Sequence, residues 1–430
     1  MSTRPTEHPL PALSRRAFLA GAAATIVGVA LPACSKAPTT DAPATATSAT
    51  TRPVVYDRPA TTADASAATG PQAVSHSTAT LLMVGDILVH QGVWKSGEHP
   101  DGSRSYDHIY AHVTTDAQAA DVAMLNQETI LGGTELGLEG FPNFNSPQEI
   151  GDAEVAAGFD VALAATNHAA DQGMEGIRAE LDFWRARHPN VRCIGIQDSQ
   201  EAYDQVDIID SNGIKVAVLN HTFSLNGLPM PAPYAVRMLE EDKFAHDYEL
   251  ARDQGADVVV EVPHWGTEYA HEADSYQRRW ANIILDYGVD VVIGSHAHVI
   301  QPVDVLERDD GHRMLVYWSL GNFTSFQLEK PRMVGGMAKV TLSLDTLADG
   351  SRSAGVTGWS LEPVVTHRAE GTDFSTYKLV DYPDELAQAN GIRHLPGCAD
   401  FSRAWIDDHC AQVLGPNYDR GACILKGGAL

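Results

Sequence analysis

The sequence predicts an α/β fold with mixed sheets. From Leu81 onward, strand-length apolar runs alternate with segments of helical period, the pattern of strands joined through helices. In "DIIDSNGIKVAVL", Asn212-Gly213 sits between two apolar runs, which favours a tight hairpin and therefore an antiparallel pair. Two later runs, "GGMAKVTLSLD" and "SAGVTGWSLEPVVTH", read as successive strands.

Taken in order, the chain opens with an address rather than a fold. In "LSRRAFLAGAAATIVGVALPAC", Arg15 and Arg16 precede an apolar stretch of about 13 residues, the length of a signal core and too short to span a bilayer. Twin arginines imply Tat-type export. Leu31-Pro32-Ala33-Cys34 looks like a lipobox, in which Cys34 is lipidated and becomes the mature N-terminus. Residues 1–33 are thus expected to be a signal peptide. Residues 34–78, beginning with Cys34 and rich in Ala, Thr, Pro and Ser, cannot bury a core and read as a tether.

The expected strands follow as "TLLMVGD", "VAMLNQE", "VALAATNH", "VRCIGI", the hairpin, "DVVVEVPHWG", "DVVIGSHAH" and "RMLVYWSLGNF". Helices are expected at "SPQEIGDAEVAAGF", "EGIRAELDFWRARHP" and "ADSYQRRWANIILDYG". A globular domain over 79–345 and a tail of strands and cysteines over 346–430 complete the expected division. In an oxidising compartment Cys193, Cys398, Cys410 and Cys423 are disulfide candidates, three of them placed to staple the tail. Their spacing fits no zinc-finger pattern.

Charge narrows the partners. Thirty basic residues stand against 56 acidic ones, a formal net charge of −26. That balance offers no basic footprint for nucleic acid. An anionic substrate must be held by local positive charge, such as a metal ion.

Polar residues collect at the ends of the apolar runs, where ligands bind in α/β folds. Asp86 ends the first, with His90 four residues on; Asn126 and Glu128 end the second. Asn167, His168 and Asp171 follow the third, and His264 and Glu268 follow "VEVP". "SHAH" supplies His296 and His298, and "SLGNF" supplies Asn322. Residues two apart in extended chain face one side, so His296 and His298 can share a site. This set of Asp, Glu, Asn and His is the palette of nitrogen- and oxygen-bound Zn, Mn or Fe, and its dispersal along the chain suits a catalytic rather than a structural site.

The ordered set GD…N-x-E…N-H-x-x-D-x-G…H-W-G-x-E-Y…H-x-H…S-L-G-N-F resembles the CapA family, named for poly-γ-glutamate capsule synthesis, within the calcineurin-like metallophosphoesterase superfamily. "TFSLNG" (222–227) resembles a further loop of that family. The likeness runs from about Leu81 to Phe326. It implies a four-layer αββα sandwich of the metallophosphoesterase type, with one or two divalent ions (Mn, Zn or Fe) between the sheet edges. On that likeness Asp86 holds one metal, Glu128 bridges, Asn167 and His264 hold the second, and His296 and His298 take one each. His168, oriented by Asp171, is catalytic, stabilising the transition state or protonating the leaving group, while Asn126, Glu268 and Asn322 contact substrate or support the ligands. The superfamily's first motif has a histidine where this chain has Leu88, and His90 is the expected substitute.

The implied function is a metal-dependent hydrolase or transferase in synthesis of poly-γ-glutamate or a related surface polymer, with metal-activated water attacking a phosphoester or amide. The alternative is a non-catalytic, metal-containing component that binds polymer or a synthase. Expected partners are an anionic surface polymer or its precursor, a membrane-embedded polymer synthase, and the membrane itself through the N-terminal lipid. The expected location is the outer face of the cytoplasmic membrane.

Overall fold

Alternation along the first strand sets the architecture. In β1 (Ala73–Ile87), Leu81 and Met83 enter one apolar core while Leu82 and Val84 enter another. A strand whose two sets of side chains are both buried must be covered on both faces. The computed structural model describes residues 73–369 and 374–430. The twin-arginine signal, Cys34 and most of the expected tether lie outside the described residues.

After β1 come α1 (Gln91–Ser96), α2 (Asp107–Tyr110), α3 (Thr114–Ala119), β2 (Val122–Asn126), α4 (Glu149–Ala157), β3 (Val161–Leu163), α5 (Gly173–Arg187), β4 (Arg192–Ile194) and α6 (Gln200–Tyr203). The expected hairpin is β5 (Asp207–Ser211) and β6 (Ile214–Thr222). Its turn residues Asn212 and Gly213 both take positive φ, 54° and 82°, and Ser211 pairs with Ile214. Next are α7 (Glu241–Asp253), β7 (Val258–His264), α8 (Ser275–Tyr287), β8 (Val291–Ile293), β9 (Val303–Glu307), β10 (Arg313–Tyr317) and β11 (Asn322–Thr324). The chain ends with β12 (Val334–Leu347), β13 (Arg352–Arg368), β14 (Phe374–Lys378), α9 (Asp384–Ala389), α10 (Arg403–Leu414) and β15 (Leu425–Gly427).

Two mixed sheets result. The first runs β14-β13-β12-β1-β2-β3-β4, with β11 beside β1 and β15 beside β13. Strands β1 to β4 are parallel, whereas β12 to β14 return antiparallel. The second runs β5-β6-β7-β8-β10-β9 and is parallel from β6 to β10. The sheets share one core, in which Leu81, Met83, Met124 and Leu163 meet Val216, Val218, Val260 and Ile293. The outer face of the first sheet packs on α1 to α4, and that of the second on α7 and α8 through Phe244, Trp280 and Ile284. The layers are helix, sheet, sheet, helix, as the sequence resemblance implies.

Three expectations need correction. Residues 73–78, assigned to the tether, already pair with β12, from Ala73 opposite Leu347 to Thr78 opposite Ser343. The segment after 345 is not a separate tail: β13, β14 and β15 complete the first sheet, and Ile406, Leu414, Tyr418 and Leu425 enter the inter-sheet core. Nor are the cysteines bridged, for Cys193, Cys398, Cys410 and Cys423 are all free thiols. Each has its own neighbour: Cys193 Sγ lies 3.9 Å from Glu180, Cys398 faces the Leu328 carbonyl, and Cys423 takes Arg403 Nη2 at 2.8 Å. Cys410 is buried on α10 within the inter-sheet core. Strand pairing and apolar packing anchor this segment without a staple.

Candidate metal centre

Backbone crowding fixes the first donor. A Cβ at Gly85 would stand 1.9 Å from the Gly321 carbonyl oxygen, so glycine alone lets β1 approach β11. That approach lets the Asp86 N–H donate to Gly321 O at 2.9 Å and turns the Asp86 side chain to the end of the sheet. β2 ends at Asn126 just before Glu128, β3 leads to Asn167 and His168, β7 ends at His264, and β8 leads to His296 and His298.

These ends meet as two groups that share one residue. Asp86, Glu128 and His298 form one, and Glu128, His264 and His296 the other; within each, one ligand atom per residue lies within 4.8 Å of the rest. All five residues are buried. His298 Nδ1 is 3.0 Å from Asp86 Oδ2, and its Nε2 is 3.6 Å from Glu128 Oε1. His264 Nε2 is 3.0 Å from Asn167 Oδ1, 3.2 Å from His296 Nδ1 and 3.7 Å from Glu128 Oε1.

His296 and His298 do not act as adjacent positions of a strand. β8 stops at Ile293, and both histidines take left-handed backbone, with φ of 89° and 59°. Such φ is unfavourable for a side chain with a Cβ and persists only where the surroundings enforce it. Here the turn aims His298 at Asp86 and His296 at His264, rather than both at one point.

The electrostatics suit a cation. Burial raises Glu128 well above the usual carboxylate range; His298 opposes that shift, while Asp86, Glu268 and Asp171 add to it. Burial, then the neighbouring histidines, holds His264 and His296 well below the usual imidazole range, so both are neutral. Burial also works against a charged His298, but Glu128 and Asp86 outweigh it and hold its pKa at about 9.

Both carboxylate oxygens of Glu128, and Oδ1 of Asn126, are buried without a hydrogen-bond partner among the described residues. A buried carboxylate left in that state costs several kcal/mol, on the order of the desolvation penalty of an ion. Divalent cations are the partners that two neutral imidazoles and two carboxylates would satisfy. The donor set therefore fits divalent metal, with Glu128 between the two groups.

Beside it lies a histidine–carboxylate pair. His168 Nδ1 is 2.7 Å from Asp171 Oδ2, and both side chains are buried. The Phe144 N–H donates to the same Asp171 oxygen at 2.7 Å, which fixes the carboxylate. Phe144 also packs edge-on against the His168 ring at 4.7 Å.

The remaining candidates take other positions. Asn126 Nδ2 donates to Asp86 Oδ1 at 3.0 Å, and Asn322 Oδ1 lies 3.1 Å from His298 Nδ1, so both steady ligands. Glu268 is exposed and belongs to neither group. His90 stands outside both groups, near His298 and His168. It precedes α1, where the Phe326 N–H donates to its Nδ1 at 3.3 Å and its ring meets Phe144 at 5.2 Å. Burial lowers its pKa to about 4. With Trp94, Phe141, Pro142 and Phe326 it lines a groove of about 540 Å³.

Sequence reading missed Ser295, whose Oγ lies 2.9 Å from His264 Nδ1, and Asn226, which accepts from Asn167 Nδ2 at 3.4 Å. Ser295 stands inside the "SHAH" motif and was legible as the partner a ligating histidine needs on its other nitrogen. Nothing local to Asn226 marked it beyond its place in "TFSLNG".

Residues 80–327 match the family described as bacterial capsule synthesis protein PGA_cap, which covers more than half of the chain. The chain is 26% identical to a capsule biosynthesis protein CapA of Bacillus anthracis over 253 residues, 57% of this chain and 59% of that protein. It is 26% identical to a PGA biosynthesis protein CapA of Bacillus subtilis strain 168 over 345 residues, 75% of this chain and 78% of that one. Among solved structures it is similar to the Haemophilus influenzae NAD nucleotidase, with TM-score 0.41 and 13% identity over 68% of this chain and 56% of that one. On the extent of the first match, the chain belongs to the bacterial capsule synthesis protein family PGA_cap.

Proposed function

We propose that this protein is a metal-dependent hydrolase or transferase acting on poly-γ-glutamate or a related anionic surface polymer. The observation that carries the reading is Glu128, a buried carboxylate with both oxygens unpartnered, shared by two sets of donors. Family membership and the names of the two Bacillus relatives support the polymer. When bound, divalent ions would supply Lewis acidity and a water acidic enough to ionise near neutral pH.

The chain's own residues do the rest. Asp86, Glu128, His264, His296 and His298 would hold the ions, with Asn167 beside His264. Asn126, Asn322 and Ser295 fix the orientation of Asp86, His298 and His264. Asp171 holds Nδ1 of His168, which leaves Nε2 to deliver a proton to the leaving oxygen or nitrogen. This pair favours chemistry over a polymer-binding role, because metal storage needs no oriented acid beside it.

A metal-reconstituted screen tests the reading. Full chain supplied with Mn or Zn is expected to cleave phosphodiesters or γ-glutamyl amides, and the substrate that turns over identifies the bond. No turnover of either with metal bound would favour the binding component instead. We further propose that Cys34 carries a lipid that anchors the chain at the outer face of the cytoplasmic membrane, near a polymer synthase. Cys34→Ala should then move the protein from the membrane to the soluble fraction; if it stays with the membrane, the anchor lies elsewhere.

A further inference from the structure

A stack of three groups leads outward from the centre. The His298 ring lies 6.0 Å from the Tyr269 ring, tilted by 32°, and the Arg332 guanidinium carbon sits 3.5 Å from the centre of that same Tyr269 ring. Both outer members are tied to the histidine loop. The Tyr269 N–H donates at 2.7 Å to the carbonyl of Ala297, the residue between His296 and His298. Asn322 Nδ2 donates at 3.1 Å to the Arg332 carbonyl, while Oδ1 of the same amide meets His298. Tyr269 holds a left-handed φ of 67° to take this place, an unfavourable conformation for an aromatic residue.

The guanidinium is only weakly neutralised. Its ion pair is with Glu329 at 2.9 Å, the arginine side chain 17% and the carboxylate 64% exposed, so water screens the pair from the glutamate side. Glu268, another carboxylate nearby, acts on the Tyr269 hydroxyl instead: after burial it is the main influence that raises the tyrosine's pKa. In a chain of net charge −26 an approaching oxyanion is repelled at long range, and a fixed positive group beside the metal donors would help to steer and orient it. A guanidinium held flat on an aromatic ring offers a pre-oriented fork that matches the two oxygens of a carboxylate or phosphate.

We propose that Arg332, seated on Tyr269, is the anion-recognition residue of this centre. It takes an oxyanion of the substrate, a side carboxylate of a γ-glutamyl chain or a phosphate, and so sets the reacting bond over the clustered carboxylates and imidazoles. The proposal rests on the functional reading above and deepens it by assigning the substrate class and the residue that selects it. Arg332 is a positioning and specificity residue, since it does not touch the metal donors.

The test is calorimetric titration of the Mn-loaded full chain with decameric γ-glutamate and, separately, with inorganic phosphate. Arg332→Gln is expected to weaken binding of the recognised anion at least tenfold while Mn content and melting temperature stay at wild-type values. Arg332→Lys, which keeps the charge and loses the fork, should recover part of the loss and guards against a folding defect in the glutamine variant. A loss confined to the decamer assigns the carboxylate, and a loss confined to phosphate assigns the phosphoester. Unchanged affinity for both anions in Mn-loaded Arg332→Gln overturns this inference and leaves the metal reading standing. A wild-type chain that takes up none of Mn, Zn and Fe overturns both.

Discussion

His168 has one ring nitrogen committed to Asp171 at 2.7 Å, and that carboxylate is itself pinned by the Phe144 N–H. A carboxylate so placed fixes tautomer and ring orientation, which is what an acid catalyst beside a metal site requires. In whichever assay shows turnover, His168→Ala should lose roughly 10²–10⁴-fold in kcat, the usual contribution of a positioned acid or base. Its metal content should stay at the wild-type level. Turnover that survives the substitution would remove His168 from the proton transfer. Much of this scale was legible in the sequence, because Asp86, Glu128, Asn167, His264, His296 and His298 stand where apolar runs end. His296 and His298 reach the centre through a left-handed turn and not through strand alternation, one directed at His264 and the other at Asp86. For His90, spacing from Asp86 says nothing of direction, and the start of α1 sets its ring beside Phe326 and Phe144.

Elements bring these residues together and carry charges of their own. α4 and α5 bury Glu154 and Glu180, far from any role in the proposed chemistry. Burial pushes the Glu154 carboxyl up to about 8, against a hydrogen bond from Tyr110 and with help from Glu180. It pushes Glu180 up to about 7, against bonds from the Leu131 N–H, Trp184 and Cys193. Both folded values exceed the ordinary carboxyl value, so the folded protein keeps protons that the unfolded chain has released. Their contribution to stability is therefore full below about pH 4.5 and is lost as pH rises through about 7 and 8. Between those limits each group lowers stability by about 1.4 kcal/mol per pH unit. Melting temperature measured from pH 5 to 8 should fall less steeply in Glu154→Gln than in wild type; parallel curves would contradict the burial argument. The charge-rich α7 escaped sequence reading for a related reason. Its buried face is only Phe244, Asp247 and Ala251, too narrow a stripe for apolar periodicity to register.

At the scale of the molecule, the two sheets meet over one core and present their strand ends at one place. The first sheet supplies Asp86, Asn126 and Glu128, and the second supplies His264 and the His296–His298 turn. Strand alternation and the Asn212-Gly213 hairpin were visible in the sequence because both are local. The return of the C-terminal segment to the first sheet was not, since pairing of β12 with β1 joins residues some 260 positions apart and leaves no local mark. The cysteines suggested a stapled tail, but packing of Ile406, Leu414 and Tyr418 into the shared core holds it without bridges. Glu128 is the residue common to both donor groups, and it joins the ligands of the first sheet to those of the second. Its direct test is metal stoichiometry by elemental analysis of the full chain and of Glu128→Gln, which removes the charge and keeps the shape. Wild type should hold two divalent ions per chain, and the variant should lose most of both. Wild type without metal, or a variant that binds as much as wild type, would contradict the account.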